Sequence, residues 1–579
     1  MQQESQSNGI TTMVKKIARK FREEPSGSVA IMFAVSAGAV MMMMGAAVDY
    51  SRMITAKSKL QAATDATILS LARQGTLSSQ ELSTKAAQLL STHVGNDPNA
   101  SIVAGPDHRN SGAEMCIDTQ TSIAASIMKI VRIDSLQVKA TSCAAVSDAF
   151  YEIALVLDNS GSMSQAAGNT SKIAAVRSAA SKMVDEFAPI NGTQIAAFSV
   201  VPFAASVNIG PQNYNASFMD RSGKSSIHWK NILIPPASTW KPASRFDIYD
   251  KMFNASWFSS GTAWGGCVEE RPGAYLTSDA PANPNVGDSL FVPMLAPDEP
   301  DVGGNGVNNY LSDTGGNCQS GDMYEQLDKT SGNGSGLTKL CKYNLTTKLS
   351  SSAATSSDSP NKSCTTSALH TLSTDFTSVK SKISGMQASG NTNIFSGLMW
   401  GWRTISPNTP FAVTNAASVG QQMPLAYNGK TADQRLVKKV VVLMTDGDNT
   451  WGSNSYQYVT GTTTNRWGQT QNTYASVNTG VYGPFGYWQD ARLGTAPTND
   501  SDAVSQMNTA ALQACTAVKA AGVTIYTIAV GNSISSTGQS ILKQCATDGS
   551  KYLTATTDSQ IVASFQTIAD SLQTLHLTR

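Results

Sequence analysis

From Ser28 to Val48 the chain runs for 21 residues without a charge, SVAIMFAVSAGAVMMMMGAAV. At about 1.5 Å per residue, a helix of that length covers a hydrocarbon core roughly 30 Å thick, so this stretch divides the chain between two compartments. Lys15, Lys16, Arg19, Lys20 and Arg22 precede it, whereas only Arg52, Lys57 and Lys59 follow over a similar distance. That bias places the N-terminus in the cytoplasm and exports the rest. The competing reading is a cleaved secretory signal with Gly45-Ala46-Ala47 as its cleavage site. An apolar run this long exceeds the core of about 7 to 15 residues usual for such signals, which favours an uncleaved anchor.

Beyond the span, Tyr50 to Gln74 holds neither Pro nor Gly, and Ile54, Leu60, Ile68 and Leu71 recur on a broadly helical spacing. One helix is expected to leave the membrane continuously and to stop at Gly75. Residues 77–150 read as a small strand-rich unit, with strands at Ile127–Val131 and Leu136–Ala140. The eight cysteines include no CxxC or CxxxC pair, which excludes zinc ribbons and redox motifs and suits disulfides in an exported chain. Cys116 and Cys143 bracket the small unit and are expected to pair, a closure worth about 3 to 4 kcal/mol in the chain-entropy model.

The basic lead, Gly27-Ser28-Val29-Ala30, the span ending Ala47-Val48-Asp49-Tyr50 and the following Leu60-Gln61-Ala62-Ala63-Thr64-Asp65-Ala66 carry a resemblance. Together they resemble the TadE/TadG-like N-terminal region of bacterial Flp (tight-adherence) pilus-assembly proteins. Pseudopilin-type members carry a Glu five residues into the mature segment, where this chain has Met32, so the TadG branch fits better.

At Tyr151 the pattern changes to short apolar runs interleaved with amphipathic helices, the mark of a parallel sheet covered on both faces. The expected strands are Ile153–Leu157, Gln194–Val201, Val437–Met444 and Val523–Val530; helices are expected at Thr170–Phe187 and after Asp558. Residues 207–370 and 450–498 are too long and too rich in Gly, Asn, Ser, Pro and Thr for ordinary connections, and read as insertions. The first holds Cys267, Cys318, Cys341 and Cys364, whose three possible pairings the sequence leaves open; Cys515 and Cys545 form a further candidate pair.

Directly after the first of these strands comes Asp158-Asn159-Ser160-Gly161-Ser162-Met163. An aspartate and two hydroxyls at alternating positions on one loop suit a hard cation, since Mg²⁺ takes six oxygens at about 2.0 to 2.1 Å and keeps several waters. Asp446 follows another strand in Met444-Thr445-Asp446-Gly447, and Thr392 precedes a helix in Gly390-Asn391-Thr392-Asn393-Ile394. Ligands of open α/β sheets bind outside the carboxyl ends of the strands, where Asp158 and Asp446 fall.

This combination resembles a von Willebrand factor type A domain with its metal-ion-dependent adhesion site, over about residues 151–579. The resemblance implies a doubly wound, mostly parallel α/β sheet holding Mg²⁺, or Mn²⁺ or Ca²⁺. Ser160 and Ser162 would be direct hydroxyl ligands, Thr392 a direct or water-mediated one, and Asp158 and Asp446 direct or water-bridged carboxylates. It further implies an open coordination position filled by an acidic residue of a partner protein. The segments Trp264-Gly265-Gly266-Cys267 and Gly397-Leu398-Met399-Trp400-Gly401-Trp402-Arg403 also look like TadG-type chains.

Other functions are disfavoured by what the chain lacks. With 42 Lys plus Arg against 41 Asp plus Glu, the net charge of +1 gives no field to attract nucleic acid. Five scattered histidines, no HExxH, no P-loop and no nucleophile elbow leave hydrolase chemistry without a base, and no small-molecule substrate is indicated. Asp446-Gly447-Asp448-Asn449 fails as a calcium loop because Trp451 and Gln457 stand where Gly and Glu belong. Asp298-Glu299-Pro300-Asp301 reads as a solvated acidic loop. The aromatics between Trp451 and Trp488 read equally as a contact surface or as a hairpin packing on its own sheet.

The expected organisation is a cytoplasmic tail (1–27), a span (28–48), a periplasmic helix with a membrane-proximal unit (49–150), and a von Willebrand A-type domain with two insertions (151–579). The expected role is metal-dependent protein recognition in Flp pilus assembly at the bacterial inner membrane, without enzymatic activity. A metal-free structural stalk and a surface adhesin are the alternatives.

Overall fold

The computed structural model describes residues 27–72, 79–95, 97–109, 114–145, 149–189, 194–234, 240–301, 307–312, 338–412, 414–416, 420–432, 434–532, 534–573 and 577–578. It is a mixed α/β structure with one long apolar N-terminal helix. The chain divides into a small unit, 1–147 with 574–579, and a large unit, 148–573.

In the small unit, helix α1 (Gly27–Ala72) continues for 46 residues. The expected continuous exit from the apolar run is therefore observed; Gly75 lies outside the described residues. Helix α2 (Ser79–Val94) stands where the sequence suggested strands. Its Leu82 and Ala86, four residues apart, pack on Ile68 and Leu71 of α1 and on Met115, Ile117 and Ala144. Strands β1 (Ser101–Arg109), β2 (Glu114–Ala124) and β3 (Ser135–Ala145) form an antiparallel sheet, and Leu577–Thr578 adds a fourth strand beside β3. Cys116 and Cys143 face each other in register and are bonded, as expected.

Leu136–Ala140 lies in β3, but Ile127–Val131 is not a strand. Met128–Val131 is a 3₁₀ turn that ends on Arg132 at φ 65°. The local reason is Asp49, whose carboxylate accepts the N–H groups of Ser126, Ile127 and Met128 at 2.9 to 3.1 Å and so takes the donors that a strand ladder would need.

The large unit is built on six strands: β4 (Ala149–Asp158), β5 (Ala196–Phe203), β6 (His370–Ser373), β7 (Leu436–Thr445), β8 (Thr524–Val530) and β9 (Tyr552–Ala555). Their spatial order is β6-β5-β4-β7-β8-β9, all pairs parallel except the antiparallel edge β6. The four strands read from sequence are the central four. The two edges were missed because each spans only four residues.

Six helices cover the sheet: α3 (Lys172–Glu186), α4 (Phe376–Ser384), α5 (Ile394–Ile405), α6 (Asp500–Ala520), α7 (Ser536–Cys545) and α8 (Asp558–Gln573). Alternate residues of β4 enter two cores. Ala154 and Val156 pack with Leu398, Met507 and Leu542, while Ile153, Leu155 and Leu157 pack with Ile173, Val379 and Ile561. Both faces are thus buried, which explains why the strand reads as an unbroken apolar run.

Every residue of helix α5 is buried. Asn393 caps it by accepting the N–H of Ser396 at 3.1 Å. Gly397 and Gly401, one turn apart, lie against the Phe203 ring and Val156, where a Cβ would collide. The Gly397–Arg403 motif is therefore a packing device that lets the helix approach the sheet. Trp264 has a similar role, being buried and donating its indole N–H to the Cys267 carbonyl at 2.8 Å.

Among the described residues of 207–370 the one α-helix is Arg245–Met252, set among short turns, yet Phe218, Trp264 and Phe291 join the sheet's own core. Cys267 pairs with Cys364, and Cys515 with Cys545. Cys341 is also disulfide-bonded, while Cys318 lies outside the described residues. Asp298 and Glu299 correct the solvated-loop reading. Asp298 is buried against Lys342, and Glu299 accepts from Asn454 and from Tyr487 at 2.8 to 2.9 Å. Burial raises Asp298 to about 7, against the opposing pull of Lys342 and two backbone N–H groups.

Candidate metal centre

Three loops meet at the carboxyl ends of β4 and β7. Strand β4 delivers Asp158 fully buried, its carboxylate accepting Ser160 N–H at 2.7 Å and Thr445 Oγ1–H at 2.5 Å. The chain then turns through Ser160 and Ser162, whose hydroxyl oxygens stand 3.0 Å apart. Ser162 donates to Asp446 Oδ1 at 2.6 Å, across 284 residues of sequence. A methyl group on Gly447 would touch both Ser162 Oγ and Thr392 Oγ1 at 3.8 Å, so those two hydroxyls face one small space.

The Thr392 loop is held from two sides. Its N–H donates to Thr450 Oγ1 at 2.8 Å, and its carbonyl accepts Thr450 N–H at 2.9 Å. Gly161 N–H donates to the Gly390 carbonyl at 2.9 Å, which ties this loop to the serine loop. Gly161 does not adopt positive φ, and a Cβ there would meet Gly390 only at ordinary van der Waals distances, 3.5 to 3.9 Å, so neither the turn nor the approach of the loops requires glycine. All five residues singled out by sequence thus converge.

Burial, then repulsion from Asp446, pushes Asp158 up to about 6. Two carboxylates this close need positive charge. Part of it comes from a residue the sequence reading missed, Lys172, buried at the first position of α3. Its ammonium donates to Asp446 Oδ2 at 2.7 Å and to Gln165 Oε1 at 3.1 Å. A signal existed, because a cation in the first turn opposes the helix dipole and calls for a nearby anion.

The oxygen-only donor set of hydroxyls and carboxylates fits a hard divalent cation. Ser160, Ser162, Thr392 and Asp446 would hold it, with Asp158 orienting the serine loop; the ion would supply positive charge for an acidic ligand. Among the described residues, no group of three or more His, Cys, Asp or Glu side chains forms an alternative metal cluster.

The aromatic stretch divides between the two readings. Ser453–Thr464 and Thr470–Gly480 form a hairpin with Trp467 and Tyr474 exposed, whereas Trp451, Phe485 and Trp488 at its base enter the sheet's core.

Comparison with known proteins agrees with the N-terminal reading. Residues 27–73 match the family described as Flp pilus-assembly TadE/G-like. No curated protein sequence matches the chain. Among solved structures, the chain is similar to the pilus adhesin SpaC of Lactobacillus rhamnosus GG in its open conformation, at 10% identity and TM-score 0.30, over 83% of this chain and 34% of that one. It is also similar to the vWF domain of the type V pili tip protein Mfa5 from Porphyromonas gingivalis, at 10% identity and TM-score 0.28, over 73% and 95% of the two chains. The PilB minor pilin from Streptococcus sanguinis aligns at 11% identity and TM-score 0.28, over 82% and 77%. The chain spans about a third of the SpaC structure.

Proposed function

We propose that this chain is a membrane-anchored, non-enzymatic component of Flp pilus assembly that recognises a protein partner through a divalent cation. In this reading residues 28–48 cross the bacterial inner membrane, 1–27 are cytoplasmic, 49–150 form a periplasmic membrane-proximal unit, and 151–579 are a von Willebrand A-type, doubly wound domain. The anchor and the pilus association are supported by the family match at 27–73 and by a helix apolar and long enough to cross a bilayer. The observation that carries the metal-dependent part is the convergence of Ser160, Ser162, Thr392 and Asp446 from three loops onto one space. Mg²⁺ or Mn²⁺ there would present an open position to a partner carboxylate, linking the two proteins through the ion.

Calorimetric titration of Mn²⁺ and Mg²⁺ into the full-length chain, beside Thr392→Ala and Ser162→Ala, tests this. Binding by the parent that weakens in both variants supports the reading. A second reading is favoured by Lys172, whose ammonium already sits on Asp446 and could be the site's own cation in a metal-free scaffold. Equal heats in all three proteins, or none, would select it.

A further inference from the structure

The connection between β2 and β3 in the small unit is built against the expected pattern for a soluble protein. Its 3₁₀ turn and the residues flanking it expose three isoleucines: Ile130 is 73% exposed, Ile133 40% and Ile127 37%. Lys129 and Arg132 are exposed beside them, with Asp134 the nearby acid. Large apolar side chains grouped on so short a turn normally find a partner surface.

The position of the turn says which surface. Ile127 packs on Gly45, where any Cβ would collide with it. Gly45 lies three residues inside the uncharged run that ends at Val48, about 4.5 Å below its end at helical rise. Asp49, the first charge after that run, accepts the N–H groups of Ser126, Ile127 and Met128. Arg52 adds a bond to the Ser126 hydroxyl. The turn is thus fastened to α1 at the level where the apolar run ends, with Tyr50 exposed alongside in the manner of an interfacial aromatic.

We propose that the 127–133 turn dips into the outer rim of the bilayer as a second, shallow membrane contact. Its isoleucines would meet the acyl boundary, and Lys129 and Arg132 would meet anionic headgroups. The proposal rests on residues 28–48 being a membrane span. Its consequence is mechanical definition, since one helix alone is free to tilt and rotate, whereas a helix with a second contact holds the small unit at a fixed height and azimuth.

The test uses the full-length chain in nanodiscs of phosphatidylethanolamine and phosphatidylglycerol. The variants Ile130→Cys, Met42→Cys and Lys139→Cys each carry an environment-sensitive fluorophore, with the unsubstituted chain, whose described residues hold no free cysteine, as the labelling control. Quenching is then read from lipids spin-labelled at shallow or deep acyl positions. The expected result is deep quenching at Met42, shallow quenching at Ile130 and none at Lys139, which is exposed on β3. Ile130 behaving like Lys139 while Met42 is quenched would overturn the inference and leave the span intact. An unquenched Met42 would remove the span, and this inference with it.

Discussion

Two of the buried carboxylate pairs in the large unit, Glu269–Glu270 and Asp158–Asp446, are neutralised differently. Glu269 and Glu270, adjacent in the first insertion, meet three guanidinium groups: Arg245 and Arg492 on Glu269, Arg403 on Glu270. Although burial would raise it, Glu269 is held below the usual carboxylate range by Arg245 and Arg492. Asp158 and Asp446 share one described ion pair, with Lys172, and otherwise accept from hydroxyls and a backbone N–H. Three guanidinium groups thus meet two carboxylates in the first set, whereas in the second hydroxyls stand beside one described ammonium. The first joins distant segments into a closed ionic core. The second is arranged so that an incoming cation would change its energy.

That contrast can be broken by substitution. Glu269→Ala strands Arg245 and Arg492 in the interior and is expected to cost about 3 to 5 kcal/mol. Urea unfolding measures the loss, and Mn²⁺ is expected not to restore it. Lys172→Met removes the ammonium from Asp446 and should cost about 2 kcal/mol without divalent ion. Here added Mn²⁺ is expected to recover the loss, because it supplies the missing charge; a melting curve indifferent to Mn²⁺ would erase the distinction between the two sets.

Thr392→Ala is expected to leave the unfolding midpoint nearly unchanged and to weaken Mn²⁺ binding about tenfold, or about 1.4 kcal/mol, read by calorimetry. The smallest effect concerns Asp220, another buried carboxylate. Burial alone would raise it, but His228 and the N–H groups of Ser225 and Lys224 hold it at about 2. A carboxyl depressed on folding stabilises the fold above its unfolded value of about 4 and loses that contribution as pH falls toward 2. Against Asp220→Asn, the parent should therefore lose an advantage of about 1 kcal/mol between about pH 4 and pH 2 in acid titrations of stability.

What the sequence revealed follows from the range of the forces involved. The four central strands and the helices at Lys172 and Asp558 were legible because periodicity is local, and Asp158, Ser160 and Ser162 because one loop carries them. Asp446 was legible because it ends another apolar strand and Thr392 because it precedes a helix, and the structure brings both to the same point. Helix α2 was not legible, since Leu82, Ala86 and Leu90 sit among Ser, Thr and Gln that weaken its stripe. The Ile127–Val131 turn looked like a strand because the residue that decides it, Asp49, is 77 to 79 positions away. The same holds for the arginine-carboxylate core, where Glu269 and Arg492 are 223 residues apart and neither neighbourhood hints at the other.

The strand at Leu577–Thr578 has a consequence for force. The small unit comprises 1–147 together with 574–579, so its fourth strand comes from the far side of helix α8 in sequence. The returning strand pairs with Ala144 and Cys143 at the very end of β3, and Cys143 is bonded to Cys116 on β2. A load that peels Leu577–Thr578 away is resisted by its hydrogen bonds to β3 alone, and once that strand has gone the disulfide still holds β3 to β2 at the edge it leaves exposed.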